Sequence, residues 1–268
     1  MTKTTRGKPK LAVWKFTSCD GCQLTLLNHE DELLKLLSDA ELAYFPEATS
    51  SHLKGPYQLS LVEGSISTAH EAEKIREVRA ASKYLVTMGA CAMGGGLQAL
   101  RNFKDAGEFT SVVYPMPDFV ETLHKSTPIS EHVTVDYEAR GCPVNTNTLI
   151  QVVRAFLFGE PLPETNNRSV CVDCKKLGVS CIMLDQGITC MGPLTQSGCG
   201  ALCPSFNRAC AGCYGPRKFA HPEALERHWR QLGIPEAEIA RAFRGIHSYA
   251  EPYRNHTLKE EAKVDESN

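Results

Sequence analysis

The chain has 268 residues, 42% hydrophobic and 22% charged, with a formal net charge of −2. That composition belongs to a soluble globular protein of one good-sized domain plus a smaller one, and without a dense basic run it excludes a nucleic-acid partner. The polar start MTKTTRGKPK, with no secretory h-region, no paired arginine and no apolar run of about 18 residues, leads to the expectation of a cytoplasmic chain with no membrane span.

LAVWKF (11–16) reads as a short buried strand, followed by TSCDGC. QLTLLNHEDELLKLL then places Leu24, Leu27, Leu34 and Leu37 at helical spacing as a core face, with Thr17 or Ser18 as cap. ELAYF (41–45) and QLSLV (58–62) read as strands, and the second runs into EGSIS and the charged helix TAHEAEKIREVRAAS. KYLVTMG (83–89) is a strand leading to a glycine-rich turn and helix, ACAMGGGLQAL. HVTVDY (132–137) reads as a strand ending at EARGCP, before the amphipathic helix NTNTLIQVVRAFLF. Strands alternating with helices predict a parallel α/β sheet with covered faces. GEPLPETNNRS (159–169) reads as a linker, so the expected domains are 1–160 and 161–268. HPEALERHWRQLG and AEIARAFRGIHSYA read as two amphipathic helices, with TLKEEAKVDESN as a solvated tail.

Eight of the twelve cysteines lie between Cys171 and Cys213: Cys171, Cys174, Cys181, Cys190, Cys199, Cys203, Cys210 and Cys213. Eight is two sets of four, and four thiolates hold one iron–sulfur cubane or one zinc. This stretch has little apolar periodicity and many Gly, Pro and Ser breaks, so a group bound to the sulfurs is expected to hold it together. In a reducing compartment, crowded thiols are metal ligands more often than disulfides.

The other four, Cys19, Cys22, Cys91 and Cys142, each follow the carboxyl end of a predicted strand, where open α/β sheets place their ligands. Loops far apart in sequence would then converge on a third site. Gly21, Gly89, Gly94, Gly95, Gly96 and Gly141 let backbone approach a bulky inorganic group there. GACAMGGG fits neither the dinucleotide nor the P-loop pattern.

Two CxxC pairs, Cys171/Cys174 and Cys210/Cys213, keep zinc in contention. Against it, Cys181, Cys190, Cys199 and Cys203 are spaced 9, 9 and 4 apart, unlike a zinc ribbon. Cys203-Pro204 and Cys142-Pro143 carry the Cys-Pro step met at iron–sulfur ligands. With no histidine between His132 and His221, any second-half site is all-cysteine. Iron–sulfur is favoured, with a zinc-bearing structural scaffold as the reading from another class. Glu63, at a strand end in VEGSI, is the carboxylate singled out for a proton or gating role, against a solvated turn residue. His29 reads as a surface residue, and none of the nine histidines has a clear catalytic setting.

SCDGCQLTLL, LVEGSI, TMGACAMGGG, RGCP and CMGP…GCGALC…CAGCYGP together resemble, in order, the small subunit of nickel–iron hydrogenases over about residues 10–218. The resemblance implies a flavodoxin-like N-terminal domain in which Cys19, Cys22, Cys91 and Cys142 ligate a proximal [4Fe–4S] cluster. It assigns Cys171, Cys174, Cys181 and Cys190 to a distal cluster, with Cys171 where membrane-associated or periplasmic relatives have histidine. It assigns Cys199, Cys203, Cys210 and Cys213 to a medial cluster, whose fourth thiolate implies [4Fe–4S]. This all-cysteine pattern resembles the cytoplasmic bidirectional group, sulfhydrogenase delta subunits above all. Deazaflavin-reducing and heterodisulfide-reductase-linked hydrogenases are similar, and the cluster subunit of respiratory complex I fits less well. The implied partners are the large subunit with the nickel–iron centre and flavin-containing diaphorase and iron–sulfur subunits that react with NADP(H).

Overall fold

A computed structural model describes residues 7–165 and 167–266, the last seven by backbone alone. Elements run β1 Lys10–Lys15, α1 Gly21–Leu27, α2 Glu30–Asp39, β2 Glu41–Tyr44, β3 Tyr57–Glu63, α3 Ala69–Ala80, β4 Ser82–Met88, α4 Gly89–Gly94, α5 Ala106–Val113, β5 Tyr137–Ala139 and α6 Thr146–Phe158. The second half adds α7 Val170–Leu177, α8 Ile182–Gln186, α9 Leu202–Ser205, α10 Pro222–Gln231, α11 Glu236–Phe243 and α12 Glu251–Glu266.

The strands form one sheet in the order β2-β1-β3-β4-β5, every pairing parallel. This is the doubly wound flavodoxin-like order, and it explains why β1 reads LAVW with no polar alternation: both its faces are covered. One face packs Leu26, Leu33, Leu36, Leu149 and Val153 against Leu11, Leu59 and Val86. The other packs Ile75, Val78 and Ile129 against Trp14, Val62 and Leu85. Thr68 starts α3 with a full capping box, its side chain accepting from the Glu71 N–H while Glu71 reaches back to the Thr68 N–H.

A third core gathers Val170, Met183, Met191, Leu194 and Ala201 from the cysteine-rich stretch under Leu225, Trp229, Phe243 and Tyr253 of the last helices. Trp229 is fully buried and its indole N–H points at Met183 Sδ, 3.1 Å away. The stretch expected to be irregular thus carries three short helices, held by apolar side chains from far along the chain.

Four local expectations are corrected. The first long helix is two, because His29 leaves the helical region (φ −107°, ψ 57°). The break resets the phase, so Leu26, Leu33 and Leu36 face the core while Leu24 and Leu34 are exposed. HVTVDY is mostly not strand. Asp136 takes the place of a rung, its amide bonding Leu85 O and its carboxylate accepting from the Leu85 N–H, and β5 begins only at Tyr137. In ACAMGGGLQAL the helix α4 comes first, and Gly95 and Gly96 (φ +81° and +64°) turn the chain into a 3₁₀ stretch over Leu97–Phe103. The expected tail from 257 continues α12 to Glu266, with Tyr253, His256 and Thr257 buried. Residues 1–6 of the polar start, Asn166 of the expected linker, and 267–268 of that tail lie outside the described residues.

The halves meet along the carboxyl edge of β5. Arg140 donates to Tyr214 O at 2.8 Å and to Pro216 O at 3.4 Å, and the rings of Phe103 and Tyr249 meet edge to face. Among the described residues no helix is long and apolar enough to cross a membrane.

Candidate metal centres

Each of the four N-terminal cysteines sits just past a strand. Cys19 and Cys22 follow β1, Cys91 lies in α4 directly after β4, and Cys142 follows β5. Adjacent parallel strands bring their ends to one edge, and the Ala90 N–H bonding Gly141 O at 2.9 Å ties the second loop to the third. All twelve cysteines are free thiols.

The four feel one another's charge. Burial pushes the Cys22 thiol far up, with Glu63, Cys91 and Cys142 adding to the effect. Cys91 is pushed up to about 11 by burial, with Cys142, Cys19 and Glu63 contributing. Cys142 is raised by burial and then by Cys19. The Val144 N–H donates to Cys22 Sγ at 3.4 Å, and the Cys91 thiol donates to Gln98 Oε1 at 3.5 Å. Gln98 is a residue the sequence did not single out; its amide is fixed by donating to Thr17 O at 2.9 Å.

Two glycines are there for space. A Cβ on Gly89 (φ +83°) would overlap Cys22 Sγ, and one on Gly96 would lie 2.6 Å from Cys91 Sγ. No side chain fits either place without moving a sulfur, and positive φ adds strain.

Glu63 is buried at 2% exposure, which removes the solvated-turn reading. Its carboxylate accepts from the backbone N–H of Cys22 at 3.1 Å and of Gln23 at 3.2 Å. It therefore caps α1, the task expected of Thr17 or Ser18. Asp20 stands at the N-cap in a left-handed conformation, its carboxylate turned to Lys15 Nζ at 2.6 Å rather than to the helix N–H groups. Burial raises the Glu63 carboxyl above its usual range, and the two amides oppose that. Glu63→Ala strands two buried N–H donors, and at about 1–3 kcal/mol each its melting temperature should fall measurably.

In the second half, burial and then Cys190, Cys174 and Cys181 push Cys171 up to about 11. A Cβ on Gly192 would lie 3.4 Å from Cys171 Sγ and 3.5 Å from Cys190 Sγ, so this glycine sits between two sulfurs. Cys213 is pushed up to about 11 by burial and then Cys199, with Cys203 also contributing; the nearby Cys142 backbone opposes the rise. Cys210 is pushed up to about 12 by burial, opposed by the Gly212 N–H, with Cys190 and Cys213 as neighbours. Its own N–H donates to Cys190 Sγ at 3.3 Å. Cys171 and Cys174 thus both have Cys181 and Cys190 as neighbours, Cys213 has Cys199 and Cys203, and Cys210 has one neighbour in each group, Cys190 and Cys213.

Among the described residues no three Cys, His, Asp or Glu side chains converge tightly enough to hold a single metal ion. The fit to an iron–sulfur group lies elsewhere. The donors are soft thiols, backbone N–H groups donate to Cys22 and Cys190, and glycine leaves room at Cys22 and Cys91. Because the raised thiols are protonated at neutral pH, loading has to release protons. Reconstitution should therefore tighten as pH rises from 6 toward the raised values, and a weakly buffered titration with a pH indicator should show acid released with each cluster.

The chain from 19 to 156 matches the family described as NADH ubiquinone oxidoreductase, 20 Kd subunit. It is similar to subunit delta of sulfhydrogenase 2 from Pyrococcus furiosus, 34% identical over 235 residues that cover 88% of this chain and 98% of the relative. It is also 31% identical to one of the vhu subunits of the F420-non-reducing hydrogenase of Methanocaldococcus jannaschii, covering 77% of this chain and 81% of that one. The fold matches a chain of an NAD+-reducing [NiFe]-hydrogenase in its H2-reduced state with a TM-score of 0.55 at 27% identity, over 59% of this chain and 96% of that chain. Parallel sheet, strand-end thiols and relatives together define an oxidoreductase subunit. The chain belongs to the small-subunit family of [NiFe] hydrogenases.

Proposed function

We propose that this chain is the electron-transfer subunit of a cytoplasmic hydrogenase and holds three [4Fe–4S] clusters. Cys19, Cys22, Cys91 and Cys142 would hold the proximal one. Cys199, Cys203, Cys210 and Cys213 would hold the medial one, and Cys171, Cys174, Cys181 and Cys190 the distal one. Bound clusters supply one-electron carriers. The chain's part is to space them, exclude water and donate hydrogen bonds to their sulfurs. Residues 1–160 form the proximal domain in this reading and 161–268 the domain of the other two.

The observation that carries the reading is the pair of links between sets. The Cys142 backbone lies close enough to Cys213 to oppose the rise of its thiol, which brings the first set to the second, and the Cys210 N–H donates to Cys190 Sγ at 3.3 Å, which brings the second to the third. The three sets thus follow one another as neighbours, and each end of the series has an exposed thiol, Cys19 and Cys142 in the first set and Cys181 in the third. Such a series connects the nickel–iron centre of a large subunit, where H2 gives two protons and two electrons, to a flavin-containing NADP-reducing partner with its own iron–sulfur subunits. The similarity to a hydrogenase named F420-non-reducing supports a second acceptor reading, a heterodisulfide-reductase-linked complex, and the 26% identity to the gamma subunit of a coenzyme F420 hydrogenase supports a deazaflavin-linked one. Clustered thiols favour the reducing cytoplasm.

A proton or gating role for Glu63 belongs to the same proposal. Glu63→Gln keeps an acceptor but cannot exchange a proton near neutral pH; slower H2-linked turnover with full iron is its expected result. Full turnover would leave Glu63 its capping role alone.

The test is elemental analysis for Fe, Ni, Zn and sulfide on the anaerobically purified native complex. Three cubanes predict about twelve iron atoms from this chain, with nickel from the partner. Iron without nickel would keep the relay and remove the hydrogenase partner. Zinc in its place would turn the chain into a structural scaffold.

A further inference from the structure

His247 lies outside every motif that points to metal chemistry, yet it occupies the junction between two of the thiol sets. It is buried at 4% exposure, in the turn between α11 and α12. Its Nε2 lies 3.1 Å from the carbonyl oxygen of Cys213. A carbonyl can only accept, so Nε2 carries the proton and Nδ1 is the bare nitrogen. On one side of the ring is Gly94, the last residue of the Cys91 helix; a Cβ there would come 2.6 Å from Nδ1. On the other is Gly215, two residues beyond Cys213, where a Cβ would come 3.0 Å from Cε1.

One glycine from each cysteine-bearing segment thus makes the slot that the imidazole fills. The neighbouring chain is fastened as well. The Ala250 N–H bonds His247 O at 2.9 Å, and Arg140 grips Tyr214 O and Pro216 O, on either side of Gly215. Burial, helped by the Arg140 charge, lowers the imidazole to about 4, so the ring is neutral in ordinary buffers and works by shape and one hydrogen bond.

We infer that His247 is a positioning residue that fixes the separation between the Cys91 helix and the Cys213 loop, and thereby the electronic coupling between the first two iron–sulfur sites. This rests on the reading of those sites as proximal and medial clusters. Tunnelling between redox centres falls steeply with distance, so a spacer wedged between their supports controls the exchange without touching either group. It moves no proton and needs no further reactant.

The test compares His247→Ala, His247→Gln and Gly94→Ala with wild type in the whole purified complex, by iron content and by low-temperature EPR of the fully reduced state. Spin–spin broadening between the proximal and medial signals is the reading. His247→Ala is expected to keep its iron and the distal signal but lose or alter that broadening. His247→Gln, which retains an N–H for Cys213 O, should largely restore it, and Gly94→Ala should disturb it from the other side of the ring. Unchanged broadening in both His247→Ala and Gly94→Ala, with iron retained, would overturn the inference. Should His247→Ala fail to load, Gly94→Ala and His247→Gln still decide it. A wild-type complex without iron would instead sink the cluster reading itself, a separate outcome.

Discussion

Cys91→Ser should abolish H2-linked dye reduction by the complex while leaving pyridine-nucleotide-linked dye reduction by the flavin-containing partner intact. The residue sits in the first turn of α4, straight after a strand buried along its last four residues, so its sulfur is anchored directly to the sheet. Serine fills nearly the same volume, so stability should change little. The hydroxyl is a hard, weakly acidic donor, a poor substitute where a soft thiolate is wanted. The loss should therefore appear in electron entry, with about four iron atoms missing at most. Loss of both activities together would mean that the chain is mainly structural.

Gly89→Ala should do comparable damage with no change in any donor. The new methyl would overlap Cys22 Sγ, on a backbone at φ +83°. Left-handed backbone costs a non-glycine residue about 1–2 kcal/mol, and the clash adds to it because Cys22 is buried and its sulfur already accepts from the Val144 N–H. The expected product is a folded protein short of the proximal group, with iron lowered by about a third and the two second-half signals unchanged. The same EPR and iron measurements check it. A variant with full iron and normal H2-linked activity would show that Cys22 is not a ligand.

The sheet was readable because its signals are local. β1, β3 and β4 are short, largely apolar runs between turn residues, α3 opens on a capping box, and α6 has clear periodicity and an Asn145 cap. The family was readable because the cysteine motifs lie in fixed order around those strands. What escaped was set by partners distant in sequence. The phase of the leucines in 23–37 depends on the His29 break. The start of β5 depends on the Asp136 side chain standing in for backbone against Leu85. Glu63 caps a helix 40 residues upstream, and His247 owes its setting to Gly94 and Gly215. No periodicity or spacing rule carries such information.

The third core has a consequence for biogenesis. Its roof, the helices around Trp229, Phe243 and Tyr253, is translated after all eight second-half cysteines, of which Cys174, Cys190, Cys199 and Cys210 pack into that core. A nascent chain folds from its beginning, so the sheet and the proximal cysteines can be in place while the later thiols are still uncovered. If those thiols hold clusters, as proposed, they would be open to loading as a roofless segment before the final helices close over them. Apoprotein that completes its roof early would have to unlock that core before it could be filled.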